Sequence, residues 1–236
     1  MSEAVQDKIE AARAGTDEDY LRLHGPRFDR LLDWCRALAP ARDARVVDIG
    51  WGPFSRLLTQ HYDRVFTLGY ANDDPEGRGL AGHITFDLND AFAAREIPTD
   101  ERFDVVVFAE TIEHLIAPPD LVLRLLSGLL AEGGRIICQT PNAAALGHRI
   151  KLLFGANPYE PLRATPQNLG HIRELTGREL KQAAAKAGLT VERHVFYEPF
   201  AMPPGTVRRI GEGVLRGVSG LVPAFRRGQM AVLARP

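Results

Sequence analysis

Arg45-Val46-Val47-Asp48-Ile49-Gly50-Trp51-Gly52-Pro53 is the stretch that decides how this chain folds. Val46, Val47 and Ile49 are β-branched and favour a short strand. Gly50 and Gly52 let the backbone turn sharply, and Pro53 suits the first turn of a helix, so Phe54 to His61 reads as helical. A strand that passes through Gly-x-Gly into a helix brings backbone close to a ligand and turns free N–H groups toward negative charge. The same spelling also fits a dinucleotide fold or a plain tight turn. A nicotinamide site prefers a third small residue and an acid about twenty residues on, yet Ser55 and Tyr70 stand there. Asp48, two residues before the first glycine, suits a cationic amino group instead.

Outward from this stretch, apolar runs recur at Val65–Leu68, His83–Phe86, Phe103–Phe108, Arg135–Gln139, Thr190–Phe196 and Met230–Ala234. Phe103–Phe108 is nearly continuous, as a buried parallel strand should be. Leu121, Leu125 and Leu129 give Pro118–Leu130 helical spacing, which Gly133-Gly134 stops. Thr176 with Glu179 is a capping box, opening a helix that carries Leu180, Ala183, Ala184 and Ala187 and ends at Gly188. Upstream, Tyr20, Leu21, Leu23, Phe28, Leu31, Leu32 and Cys35 mark a helical cap over residues 1–43, broken near Gly25-Pro26. Strands alternating with helices predict one α/β domain over 1–236, with a Rossmann-like, mostly parallel sheet covered on both faces. Its ligand site is expected at the carboxyl ends of the strands, near the switch in strand order.

The bulk numbers agree with a soluble enzyme or binding domain. Of 236 residues 45% are apolar and 25% charged, and the net charge is −1. That balance builds no field for a polyanion and argues against long nucleic acid as partner. Only Cys35 and Cys138 are present, far apart, which fits a reducing compartment. With no signal-like start and no apolar run of membrane-spanning length, a cytoplasmic location is expected.

Asp48-x-Gly50-x-Gly52, Phe86-Asp87-Leu88, Phe103-Asp104-Val105-Val106 through Glu113-His114-Leu115, Gly133-Gly134, Thr140-Pro141-Asn142 and Ala187-Gly188-Leu189 follow one another in an order that resembles class I S-adenosylmethionine (SAM)-dependent methyltransferases. The nearest likeness is to the branch holding the ubiquinone-pathway O-methyltransferases, and it covers about Arg45 to Phe196. The resemblance implies a seven-stranded sheet with its last strand antiparallel. It implies that Asp48, Ile49, Gly50 and Gly52 hold the methionyl end of SAM, that Asp87 and Leu88 meet the adenine, and that Ala109 and Glu110 flank the sulfonium. Two departures stand out. Phe54 occupies the place of a usual third glycine, and Gly69-Tyr70 falls where an acid normally clamps the ribose. Tyr70 packing on the adenosine, or Asn72, Asp73 or Asp74 from the loop, would have to substitute.

Glu110-x-x-Glu113-His114 is the sharpest local constellation. On a helix these three side chains would share a face and, with oxygen-rich ligation, hold Mg²⁺ or Mn²⁺. The ubiquinone-pathway enzymes and the small-RNA 2′-O-methyltransferases are similar here and metal-assisted, and His171 matches a further ligand of the latter. The resemblance thus implies a Glu110, Glu113, His114, His171 metal site. Without a metal, His114 or His171 would be the general base, with Glu113 beside them.

Residues 142–170 and 199–228 read as insertions on the substrate side. In the second, Ile210, Val214, Val218 and Leu221 line one helical face while Arg208, Arg209, Arg216, Arg226 and Arg227 bring positive charge. An interfacial helix reaching a lipid-linked acceptor and a face packed on the domain or on a second subunit are both open readings. The expected activity is O-methylation of a small-molecule or lipid- or sugar-linked hydroxyl. A degenerate SAM-fold binding or regulatory protein and an RNA 2′-O-methyltransferase are the alternatives.

Overall fold

In the computed structural model, which describes residues 18–70, 79–164, 169–201 and 206–236, the chain builds one seven-stranded sheet. Helix α1 (Glu18–Leu38) leads into β1 (Arg45–Ile49), α2 (Pro53–His61), β2 (Arg64–Gly69), β3 (Gly82–Thr85) and β4 (Phe103–Ala109). Then come α3 (Pro119–Gly128), β5 (Leu130–Pro141), α4 (Leu146–Leu153), α5 (Gly177–Lys186), β6 (Thr190–Tyr197), α6 (Thr206–Leu221) and β7 (Gly228–Ala234). The strand order is β3-β2-β1-β4-β5-β7-β6. β1 to β5 pair in parallel, and β7 runs antiparallel to both β5 and β6. Order reverses between β1 and β4, so the crevice at their carboxyl ends is the natural ligand site.

Period-two alternation sends successive strand residues to opposite faces. Val46, Val65, Val105, Val107 and Ile137 pack under α1 and α2, against Phe28, Leu31, Trp34 and Leu58. Val47, Val106, Phe108, Ile136 and Cys138 pack under α3 and α5, against Leu123, Leu126, Leu180 and Ala184. The Thr176–Glu179 capping box is present: Glu179 N–H donates to Thr176 Oγ1 at 3.2 Å and Thr176 N–H to Glu179 Oε2 at 2.8 Å.

Three sequence expectations change. The first helix is not broken at Gly25-Pro26; α1 runs through Pro26. An interior proline costs about 3 kcal/mol, but its ring is exposed, and the buried face at Phe28, Leu31, Leu32 and Cys35 offsets the loss at about 1.5–3 kcal/mol per large side chain. Gly133-Gly134 does not end α3, which stops at Gly128; the pair lies inside β5. There the register jumps from Phe103↔Leu130 to Val105↔Arg135. Gly133 takes φ +73, and a Cβ on Gly134 would sit 2.5 Å from the Phe103 carbonyl oxygen, so the bulge requires both glycines. Finally, Glu110 to His114 is not a helix. Only Ile112–His114 forms a 3-10 turn, so the three acid and histidine side chains do not share a helical face.

Candidate active site

The turn after β1 is fixed by Gly50, whose φ of +90 L side chains rarely adopt and whose N–H donates to the Leu68 carbonyl at 2.7 Å. Gly52 is different. Its φ of −173 is extended backbone open to any residue, and what it provides is space: a Cβ there would meet nothing within 4 Å. That space belongs to a cavity of about 300 Å³ lined by Asp48, Ile49, Gly50, Gly52, Ala109 and Glu110, with Arg27 and Trp51 closing its sides. A second lobe of about 110 Å³ is lined by Gly69, Tyr70, Asp87, Leu88 and Leu115. The lobes share Ile49, Gly50 and Thr111. All nine residues expected around the cofactor thus line one or other of these two adjoining cavities.

Asp48 is buried, and its Oδ2 accepts from Ser55 Oγ at 2.6 Å while Gly52 N–H donates to the same hydroxyl at 3.2 Å. Burial pushes the Asp48 carboxyl up to about 7, against the opposing pull of Ser55 and Arg27. A buried acid held this way ionises readily only when a cation arrives beside it. Folding raises its pKa from 3.8, so the folded state holds the proton more tightly than the unfolded one. The stability this confers is present at low pH and is lost as pH rises from about 4 through 7. Asp48→Asn, which keeps the shape and an acceptor for Ser55, is therefore expected to stabilise the ligand-free protein at pH 8 by a few kcal/mol. The gain should shrink as pH falls toward 4, as thermal melts across pH would show, and ligand affinity should drop.

In the second lobe, Asp87 Oδ1 accepts from Asn89 N–H at 2.9 Å, capping a 3-10 turn over Leu88–Phe92. Asp87 also lines this lobe. Tyr70, at the end of β2, is held through its carbonyl by His83 Nε2 at 3.1 Å. Asn72, Asp73 and Asp74 lie outside the described residues.

Glu110 is the one non-glycine residue with positive φ (+50) among the described residues, and its N–H donates to Gln139. The turn aims its carboxylate at Arg27 Nη1, 3.1 Å away, rather than at Glu113. Of the four expected metal ligands, Glu113, His114 and His171 come together, with one ligand atom from each within 4.8 Å of the others. Glu110 does not join them. None of the three lines the two lobes; Glu113 reaches Thr140 on β5, while His114 and His171 are held by Gly170 and Glu174.

Glu113 is fully buried. Its Oε2 accepts from Thr140 Oγ1 at 2.9 Å, and its Oε1 has no hydrogen-bond partner. Burial, then the neighbouring Glu110, push its carboxyl up to about 8. The His114 and His171 rings meet edge-on, 4.8 Å apart. His114 Nδ1 donates to the Gly170 carbonyl at 2.8 Å, so its Nε2 keeps a lone pair, and burial lowers its pKa. His171 Nδ1 bonds Glu174 Oε1 at 2.9 Å, which raises its pKa.

Sequence reasoning missed Arg27, Ser55 and Glu174. Ser55, three residues past Gly52, and Glu174, three past His171, were legible as local pairs. Arg27 was not, because only the tertiary fold carries α1 to the β1 turn. Asn142 proves an anchor: its Nδ2 donates to the carbonyls of Ala224 and Arg226.

With this geometry in view, comparisons with known proteins are direct. A curated protein of Mycolicibacterium smegmatis named "Probable S-adenosylmethionine-dependent methyltransferase" is 28% identical over 177 residues, 75% of this chain. The chain spans 62% of that relative's length. Among solved structures, magnesium protoporphyrin IX methyltransferase of Synechocystis with bound S-adenosylhomocysteine (SAH) superposes with TM-score 0.54 at 15% identity, covering 100% of this chain and 89% of that one. An N-methyltransferase of Bradyrhizobium japonicum in complex with SAH gives TM-score 0.51 at 15% identity, covering 99% and 100%. These two share the fold. The description "methyltransferase domain" matches residues 23–194, most of the chain, and the chain belongs to that family.

Proposed function

We propose that the protein transfers the methyl group of SAM to a hydroxyl of a small-molecule or lipid- or sugar-linked acceptor. The observation that carries this reading is the pair of cavities that share Ile49, Gly50 and Thr111, with buried Glu113 and half-buried His114 and His171 clustered nearby. SAM has a zwitterionic amino-acid end and a flat adenine, linked through the sulfonium and ribose, and the lobes match that division. In this reading Asp48 takes the ammonium and Arg27 the carboxylate. Gly50 and Gly52 admit the chain, Ala109 and Glu110 flank the sulfonium, and Tyr70, Asp87 and Leu88 enclose the adenosine. Ile49 forms the floor between the lobes. The segments 142–170 and 199–228 cover the acceptor side of what we take as one domain over 1–236.

In the transfer, an acceptor oxygen lone pair forms a bond to the methyl carbon as the C–S bond breaks, its electrons returning to sulfur to leave SAH. The acceptor's proton must go to a base. Without an ion, His114 suits this role, since its Nε2 keeps a lone pair and burial lowers its pKa. The orphaned Glu113 Oε1 and two histidines, each with Nδ1 fixed by an oxygen, also fit a divalent cation. We propose that, in place of that base, Glu113, His114 and His171 hold a divalent cation; one carboxylate and two imidazoles suit Mn²⁺ and, less favourably, Mg²⁺. Bound there, the ion supplies Lewis acidity that lowers the pKa of an acceptor hydroxyl. Glu110, engaged with Arg27, is outside that set.

Incubation with methyl-labelled SAM and lipid and glycolipid extracts, followed by fragmentation of the product that is one methyl heavier, tests the reading. Label on oxygen is expected; label confined to nitrogen or carbon would overturn it. For the adenine lobe, Asp87→Ala should weaken SAH binding by about 1.5–3 kcal/mol, the scale of one charged hydrogen bond. Because Asp87 also caps a turn, Asp87→Asn is the folding control: its amide oxygen keeps the cap, but its amide N–H₂ cannot accept from the adenine amine, so the fold should hold while affinity stays low. Equal calorimetric dissociation constants for the parent and Asp87→Ala would remove Asp87 from the adenine.

A further inference from the structure

α4 and α6 are in contact, and around their C-terminal ends large apolar side chains are exposed among the described residues. Leu153 is 79% exposed, Phe154 81% and Leu221 85%, with Ile150, Leu152 and Val222 around them. Large apolar side chains exposed this strongly on two elements in contact mark an interaction surface rather than ordinary single-residue scatter. The face is joined to the candidate site: His148 on α4 lies 3.7 Å from Glu174, which also holds His171.

Charge identifies the occupant. Residues 146–163 and 206–227 carry eight of the chain's 29 Lys and Arg and only two of its 30 Asp and Glu. Arg227 is paired with Glu198 at 2.8 Å just outside these segments, which leaves a local excess of five positive charges in a chain whose net charge is −1. Arg149 Nε and Arg226 Nη1 donate to the carbonyls of Ala144 and Phe196, neutral partners that leave the positive charge in place. The near-neutral total conceals this asymmetry. Exposed leucine and phenylalanine bordered by arginine and lysine suit the acyl–headgroup boundary of an anionic bilayer. No helix among the described residues is long and apolar enough to cross a membrane, so contact would be at its surface.

We propose that the α4–α6 face docks the protein on anionic phospholipid membranes. Docking does not depend on SAM, so it stands or falls separately from the activity. Apart from that independence, it deepens the acceptor reading by favouring a lipid-linked hydroxyl presented from the bilayer.

The test is vesicle flotation of the full chain without SAM, using phosphatidylglycerol–phosphatidylcholine vesicles and pure phosphatidylcholine vesicles at low and high salt. Binding should be at least about tenfold tighter to the anionic vesicles and should weaken with salt. The double substitution Leu153→Ser, Phe154→Ser should reduce it about tenfold or more, with thermal melting and SAH affinity unchanged. Absent binding to anionic vesicles, or binding that the double substitution leaves intact, would overturn the proposal. So would a dimer in the parent that the double substitution dissolves, since the face would then be covered by a second copy.

Discussion

Gly52→Val is expected to weaken SAH binding by about one to two orders of magnitude while the protein stays folded. The reason is not backbone strain, since Gly52 sits at φ −173, where valine is comfortable. Nor is it a clash within the protein, because a Cβ there would meet nothing within 4 Å. The added side chain fills space in the cavity that the cofactor must occupy. Forcing extra methyl groups into a fitted site costs about 1–3 kcal/mol, so affinity should fall about ten- to hundredfold. Gly50→Val is the contrasting variant: the φ of +90 makes it strained whatever the ligand, and it should lower the melting temperature. If folded Gly52→Val binds SAH as tightly as the parent by calorimetry, the cofactor does not lie against this turn.

Glu113→Ala is expected to lower turnover about a hundredfold or more, the scale of losing acid–base or metal assistance, with SAH affinity unchanged. Glu113 does not line either lobe, so cofactor binding has no reason to change. Chelation should depress turnover of the parent, and added Mg²⁺ or Mn²⁺ should restore it; the variant should show neither response. Glu113→Gln serves as the folding control, because its amide oxygen still accepts from Thr140 and avoids leaving that buried hydroxyl unpaired. Parent turnover indifferent to chelator would leave His114 as the base and remove the ion from the account. Turnover unchanged in Glu113→Ala would make the cluster a structural anchor.

Much of this was legible from local sequence because the responsible forces are local. The β1 turn announces itself through Gly50 and Pro53, and α5 through Thr176 and Glu179. Alternating apolar runs located every strand to within a few residues at most ends; β5 alone starts well ahead of its expected position. What could not be read depends on packing. Pro26 spells a helix break, yet tertiary burial of Phe28 and Leu31 carries α1 through it. Gly133-Gly134 spells a helix stop, yet it serves a bulge where β5 crowds the Phe103 carbonyl. Glu110-x-x-Glu113-His114 spells one helical face, yet a positive φ at Glu110 turns its carboxylate away to Arg27. That arginine lies on a helix distant in sequence and had no local signal at all.

The most direct test of the account is a crystal structure of the protein with SAH. The adenine is predicted between Tyr70, Asp87 and Leu88, the sulfur beside Ala109 and Glu110, and the amino-acid end against Asp48 and Arg27, with Gly50 and Gly52 in contact with the ligand. SAH bound with its adenine against Asp48, or outside the two lobes altogether, would contradict it.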